Sequence, residues 1–247
     1  MALTDHNTVD GLPDFISAAA GKAIEIVPGA EFSVDHEGRE LHLLGLFIPK
    51  EAFGEVTLLM QSVNARKEQS NLELVASLSR AGIVLDYDAI KNGTPNGKVN
   101  RAHIAAALTK AGYTGSSKEA FATLLSPEAG HYKEPSRLTV WETIDFIRSI
   151  DAVPVLAHPF LNQTLAELTV FLPTARARGL VGMECYYSLF DATTTDTALS
   201  LAKCFDLLPS GGSDFHGECK PDIALGTGKG NLQIPFAWYE ALKRMAK

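Results

Sequence analysis

The chain has 247 residues, 46% of them apolar and 21% charged, which is enough to bury one sizeable core and excludes wholesale disorder. Its 22 basic and 29 acidic residues give a net charge of −7, which argues against a broad basic surface for duplex DNA but leaves room for a local phosphate pocket. Membrane spans are not expected, because no apolar run approaches the roughly 20 residues a spanning helix needs.

The N-terminus, Met1-Ala2-Leu3-Thr4-Asp5-His6, lacks the basic-then-apolar layout of a signal peptide. Cys185, Cys204 and Cys219 are odd in number and widely spaced, so neither a zinc knuckle nor a disulfide framework is indicated. A reduced, cytoplasmic protein is the expectation.

Taken in chain order, residues 23–27 read as a strand stopped by Pro28-Gly29, and residues 41–48 as a second strand ended by Pro49. From residue 55 to 148 the pattern turns almost wholly helical. Val56, Leu59 and Val63, then Leu72, Val75 and Leu78, recur at spacings of three and four, and Gly82 falls where a helix would be capped. A turn-rich stretch over 91–97 separates these from helices expected at 101–111 and 118–125. Further strands are expected at 153–157, 180–186 and 207–209, with amphipathic helices at 164–178 and 192–204. The alternation predicts an α/β domain over 1–54 and 149–247 with a curved, largely parallel sheet, interrupted by a helical subdomain over 55–148.

Nearly all the chemically interesting side chains fall in five short segments. They are Thr4-Asp5-His6, Gly29-Ala30-Glu31, Leu41-His42, Ala157-His158-Pro159 and Gly212-Ser213-Asp214-Phe215-His216. Each lies at or just beyond the end of a predicted strand, the face on which an α/β barrel assembles its site. Histidine and carboxylate gathered there suit Mn²⁺, Fe²⁺ or Zn²⁺. In an extended Asp214-Phe215-His216 both polar side chains would point the same way, with Phe215 packed behind. A lone histidine is more often a packed or solvated one, and His36 and His131, in polar loops, are read so. Asp5 and Asp14 are equally explained as anions at helix N-termini.

These segments, together with Leu43-Leu44-Gly45, Asn64-Ala65-Arg66, Asn100-Arg101-Ala102-His103-Ile104, Ala120-Phe121 and Leu225-Gly226-Thr227-Gly228, resemble the PHP (polymerase and histidinol phosphatase) superfamily. They are most similar to its branch of bacterial nucleoside 3′,5′-bisphosphate phosphatases with 5′→3′ exoribonuclease activity. The resemblance implies a distorted seven-stranded barrel with up to three divalent ions, Mn²⁺ foremost, at its C-terminal rim. Carried over by position, Glu31, His42 and His158 would surround one ion, Glu31 and Asp214 a second, and His6 and His216 a third. The family pattern opens with a His-x-His strand and a Ser-Asp-Gly turn upstream of Thr-Asp-His, so a barrel lacking its first βα unit is expected here.

The implied activity is hydrolysis of nucleotide phosphate esters, on 3′,5′-bisphosphonucleosides or the 5′ ends of short RNA. Arg66, Arg101, His103 and Lys133 are the candidate phosphate-recognition groups of the helical segment. Arg66-Lys67-Glu68 reads equally well as a solvated helix face, and Arg101 with His103 as helix N-terminal packing. Tyr186 and Phe160 fit either base stacking or core. Two other readings keep the same residues: phosphatase action on another small ester such as histidinol phosphate, and a non-catalytic metal- or phosphate-binding protein.

Overall fold

The computed structural model describes residues 1–94, 97, 99–217 and 220–246. Pro95 and Asn96 of the expected turn, and Cys219, lie outside the described residues. The chain divides into two compact units, Met1–Met60 with Leu138–Lys247, and Gln61–Arg137. Among the described residues no helix is long and apolar enough to cross a membrane.

The first unit is a curled sheet of six strands in the order β1 to β6: β1 (Ala2–Leu3), β2 (Val27–His36), β3 (Arg39–Leu46), β4 (Val153–Leu156), β5 (Gly182–Tyr187) and β6 (Leu208–Gly212). The pairs β1–β2, β4–β5 and β5–β6 are parallel. The pairs β2–β3 and β3–β4 are antiparallel, which corrects the expectation of a largely parallel sheet. The cause is the tight turn at Glu37-Gly38, both at positive φ (53° and 82°), which folds β3 back on β2 and leaves no room for a crossover helix.

A second correction concerns residues 23–27. Only Val27 is in a strand, and β2 runs on for ten residues through the Pro28-Gly29 pair expected to stop it. The two-residue β1 makes few demands on the β2 edge at Pro28, so the missing N–H is tolerated there. Gly29 is required by close approach: a Cβ would lie 2.8 Å from the Gly45 carbonyl oxygen of β3 and 2.8 Å from Thr4 Cγ2. Gly29→Ala should therefore cost about 1–3 kcal/mol of stability. In a thermal melt that is a fall of roughly 2–12 °C, and an unchanged midpoint would disprove the account.

Strand alternation gives the sheet two faces. Phe32, Val34 and His36 of β2 face α6 (Val140–Ser149), with the Phe32 ring 6.1 Å from Phe146 and the His36 ring 5.4 Å from Trp141. Glu31 and Ser33 point to the other face, which His42 shares as the cross-strand partner of Ser33. Val27, Leu46, Val153, Val155 and Val181 of the sheet pack with Leu242 of α9 (Phe236–Lys243) into one apolar cluster. α7 (Leu165–Arg178) and α8 (Ala192–Cys204) follow β4 and β5, each started by a side-chain cap, Thr164 and Asp191.

The second unit contains most of α2 (Phe53–Arg80), then α3 (Tyr87–Asn92), α4 (Arg101–Lys110) and α5 (Ser117–Ala122). The two helical runs expected before Gly82 are one 28-residue helix, α2, and Gly82 at φ 84° lets Ile83 N–H close back on the Leu78 carbonyl. Leu74, Leu78, Ile104, Leu108 and Leu125 form its core.

Burial pushes the Cys185 thiol up to about 12, whereas Cys204 is exposed. Native protein treated with iodoacetamide near pH 8 should label at Cys204 and spare Cys185 until denaturant is added. Peptide mapping that finds Cys185 modified in the native state would contradict this burial.

Candidate metal centre

Three of the expected side chains meet at one point. Glu31 Oε1 lies 2.8 Å from His42 Nδ1 and 3.0 Å from His158 Nε2, and the two imidazole nitrogens are 3.2 Å apart. His6 Nε2 stands 3.6 Å from the other Glu31 oxygen, Oε2. One ligand atom from each of His6, Glu31 and His42 falls within 4.8 Å of the others.

Local backbone explains the convergence. The chain from β1 continues alongside β2, so that Glu31 N–H donates to the Asp5 carbonyl and Asn7 N–H to the Glu31 carbonyl, locking His6 beside Glu31. Asn7 takes the left-handed conformation, φ 55°, and its side chain ties to Ser33 through both amide atoms. His158 follows β4 at φ 24°, an unusual value for a residue with a Cβ. The buried Glu184 carboxylate holds it there by accepting its backbone N–H at 2.7 Å. Such strain is typical of a functional site.

Burial alone would raise the Glu31 carboxyl, but hydrogen bonds from His158 and His42, with the charge of His6, hold it well below its ordinary range. For His42, burial opposes protonation and is outweighed by Glu31 and Glu40, so its pKa is raised. Glu184 is pushed up to about 8, chiefly by burial and then by the charges of Glu31 and Asp214, against the His158 N–H.

The donor chemistry fits a divalent transition metal. Two imidazole nitrogens aimed at each other across 3.2 Å with a carboxylate oxygen between them are best satisfied by a shared cation. The second nitrogen of His42 meets Glu40 Oε1 at 3.1 Å, the carboxylate–imidazole pairing that orients a ligand ring.

The remaining expected ligands form a neighbouring group. The His6 ring lies 5.7 Å from the His216 ring, and His216 Nδ1 is 3.3 Å from Asp214 Oδ1. Asp214 Oδ2 accepts from Tyr187 O–H at 2.9 Å and Lys220 Nζ at 2.6 Å. Asp214 is at φ 51° and Phe215 is 47% exposed, so this segment is not the extended one expected and Phe215 does not pack behind it. The left-handed turn at Asp214 is what brings its carboxylate to His216.

Arg66, Arg101, His103 and Lys133 all lie in the Gln61–Arg137 unit. Arg66 Nη1 donates to Ser136 Oγ at 3.3 Å, while its Nε is buried without a partner. Arg101 stacks over the Tyr132 ring at 4.2 Å. His103 Nδ1 accepts the Asn100 N–H in a capping box, the helix N-terminal packing weighed for it above. The Lys133 carbonyl accepts from Ser70 Oγ. The Tyr186 ring meets Trp238 edge-to-face at 4.9 Å and the Phe160 ring meets Phe190 edge-to-face at 5.9 Å, so each already has an aromatic packing partner. His131 hydrogen-bonds Ser77.

Sequence reasoning missed Glu184, Tyr187 and Lys220. Only Glu184 carried a signal: an acid inside the apolar run Val181-Gly182-Met183-Glu184-Cys185-Tyr186-Tyr187.

No family model matches the chain. The chain is 32% identical over 224 residues to the 5′-3′ exoribonuclease of Haemophilus influenzae, covering 89% of this chain and 80% of that protein. It is 27% identical over 233 residues to the 3′,5′-nucleoside bisphosphate phosphatase of Chromobacterium violaceum, covering 90% and 79%. Its fold matches a crystal structure from Bifidobacterium adolescentis described as a metal-dependent phosphoesterase, with a TM-score of 0.66 at 23% identity over 100% of this chain and 85% of that one. With this identity across most of both sequences, the chain belongs to the PHP-superfamily phosphoesterase family that includes the Haemophilus influenzae 5′-3′ exoribonuclease.

Proposed function

We propose that the chain hydrolyses phosphate esters of nucleotides, on 3′,5′-bisphosphonucleosides or the 5′ ends of short RNA, at a centre for divalent cations, Mn²⁺ foremost. The observation that carries this reading is the meeting of Glu31, His42 and His158 within 3.2 Å, with His6 alongside. Glu31, His42 and His158 would hold one cation, Asp214 with Glu31 a second, and His6 with His216 a third, on the rim of a PHP barrel that lacks its first βα unit. Bound there, such ions polarise the phosphoryl oxygens and bring a water's pKa near neutrality for attack on phosphorus.

The chain's own groups prepare that chemistry. Glu184 fixes the backbone of His158, and Tyr187 and Lys220 fix Asp214. The P–O ester bond breaks as water adds, giving an alcohol with inorganic phosphate from a monoester or with a nucleoside monophosphate from an RNA phosphodiester.

Phosphate release from adenosine 3′,5′-bisphosphate and mononucleotide release from a 5′-phosphorylated oligoribonucleotide, each with and without Mn²⁺, test the reading. No metal-dependent release from either substrate would reject it. The Gln61–Arg137 unit is proposed to supply phosphate recognition through Arg66, Arg101, His103 and Lys133. On that reading Arg101→Ala raises KM for the bisphosphate by about 10- to 150-fold, the loss of one charge-assisted contact, with kcat little changed. Unchanged kinetics would remove Arg101 from the recognition set.

A further inference from the structure

The Leu225-Gly226-Thr227-Gly228 segment is closed by two backbone hydrogen bonds, Ala224 N–H to the Gly228 carbonyl at 2.8 Å and Gly228 N–H to the Ala224 carbonyl at 2.9 Å. From this turn Gly226 N–H donates to Ser213 Oγ at 3.3 Å. Just beyond it, Asn231 Nδ2 donates to the Ser188 carbonyl at 3.3 Å. Ser188 is 3% exposed, and its hydroxyl donates to the Ser213 carbonyl at 2.6 Å. Gly228, at φ 61°, leaves the space which that hydroxyl occupies: a Cβ there would stand 2.5 Å from Ser188 Oγ. The turn therefore bears on one buried hydroxyl and, through it, on the peptide joining Ser213 to Asp214.

That peptide is planar, so holding its carbonyl also fixes the direction from which Asp214 departs. Asp214 leaves it in the left-handed conformation, φ 51°, which brings the carboxylate to His216. A residue with a Cβ keeps such a value where its surroundings over-determine it. Tyr187, the last residue of β5, and Ser188, the next, hold Asp214 from two sides: the phenol on Oδ2 and the serine hydroxyl on the carbonyl before it. We propose that Ser188, seated by the glycines of the 225–228 turn, is a positioning residue for the cation at Asp214. The inference rests on the reading of Asp214 as a metal ligand given above. Without the hydroxyl the peptide can rotate, and binding a cation then includes the free-energy cost of reordering the carboxylate. The polar contacts of Ser188 run to Ser213 and Asn231 and not to Glu31, His42 or His158, so an ion held by those three keeps its affinity.

Mn²⁺ binding to substrate-free protein, followed by the electron paramagnetic resonance of the free ion, distinguishes tight from weak ions without turnover. Asp214→Asn should remove a weak ion and so identify it. A titration unchanged by that substitution would reject Asp214 as a ligand, and the proposal with it. Ser188→Ala should weaken the same ion by about tenfold, the loss of one hydrogen bond, and leave the tight ion unchanged. Hydrolysis by Ser188→Ala should approach the wild-type kcat at raised Mn²⁺, a rescue that general loss of structure would not give. Gly228→Ala should weaken the ion by displacing the hydroxyl, so adding Ser188→Ala to it should bring no further loss. Should Ser188→Ala lose its melting transition, Asn231→Ala, at an exposed position, should weaken the same ion selectively by freeing the Ser188 carbonyl. With the Asp214→Asn effect in hand, an undiminished weak ion in folded Ser188→Ala would overturn the proposal alone. Equal weakening of both ions, or additive losses in the Ser188→Ala/Gly228→Ala pair, would overturn it as well.

Discussion

Glu31→Gln should reduce kcat/KM for phosphoester hydrolysis by on the order of 10³-fold or more while leaving the fold in place. The substitution keeps the shape of a side chain whose oxygens meet His42, His158 and His6, but removes the anionic charge that those imidazoles share. A site of neutral imidazoles and a neutral amide holds a dication poorly, so the loss should appear in kcat as well as KM. Steady-state kinetics, metal content and a thermal melt should be read together. A variant that keeps its melting transition and more than a tenth of wild-type activity would show that Glu31 is not central to the chemistry.

The second large effect is on metal retention. Occupancy should be unequal, with the most persistent ion at Glu31, His42 and His158. That group offers one carboxylate and two imidazoles that already converge, two of the side chains being less than 9% exposed. Asp214, by contrast, has its Oδ2 engaged by Tyr187 and Lys220, and an incoming ion has to displace an ammonium from it. His6 and His216 present two imidazoles, with His6 40% exposed. Stepwise removal with a chelator, followed by metal analysis and anomalous scattering, should find the first site filled and the others partial or empty. Three equally filled sites, or a filled site elsewhere beside an empty Glu31/His42/His158 group, would contradict this ordering.

Part of the candidate centre was legible in the chain because His158 and the Asp214–His216 segment sit where a strand pattern ends. A strand's hydrophobic pattern announces its own boundary, so His158 and the Asp214–His216 segment could be placed just past β4 and β6, whereas Glu31 and His42, expected at strand ends, lie inside β2 and β3. Their recurrence in one order gave the family resemblance. Helical periodicity likewise marked the residues that form α2, α4 and α5.

The tertiary structure alone decided features that depend on partners distant in sequence. Strand direction across β2, β3 and β4 follows from a turn at Glu37-Gly38 and from which edges were free to pair, neither of which periodicity encodes. Pro28-Gly29 looked like a stop because local propensity favours one, whereas the Gly45 carbonyl needs the missing Cβ inside a strand. Glu184 could not be assigned to His158, nor Lys220 to Asp214, because such contacts join segments whose approach is set by packing. His36 reads as a loop histidine in sequence and becomes the edge of an aromatic cavity only when α6 and α7 close over the sheet. Local pattern sets where a side chain leaves the backbone; burial and the neighbours it meets there are set by the whole fold.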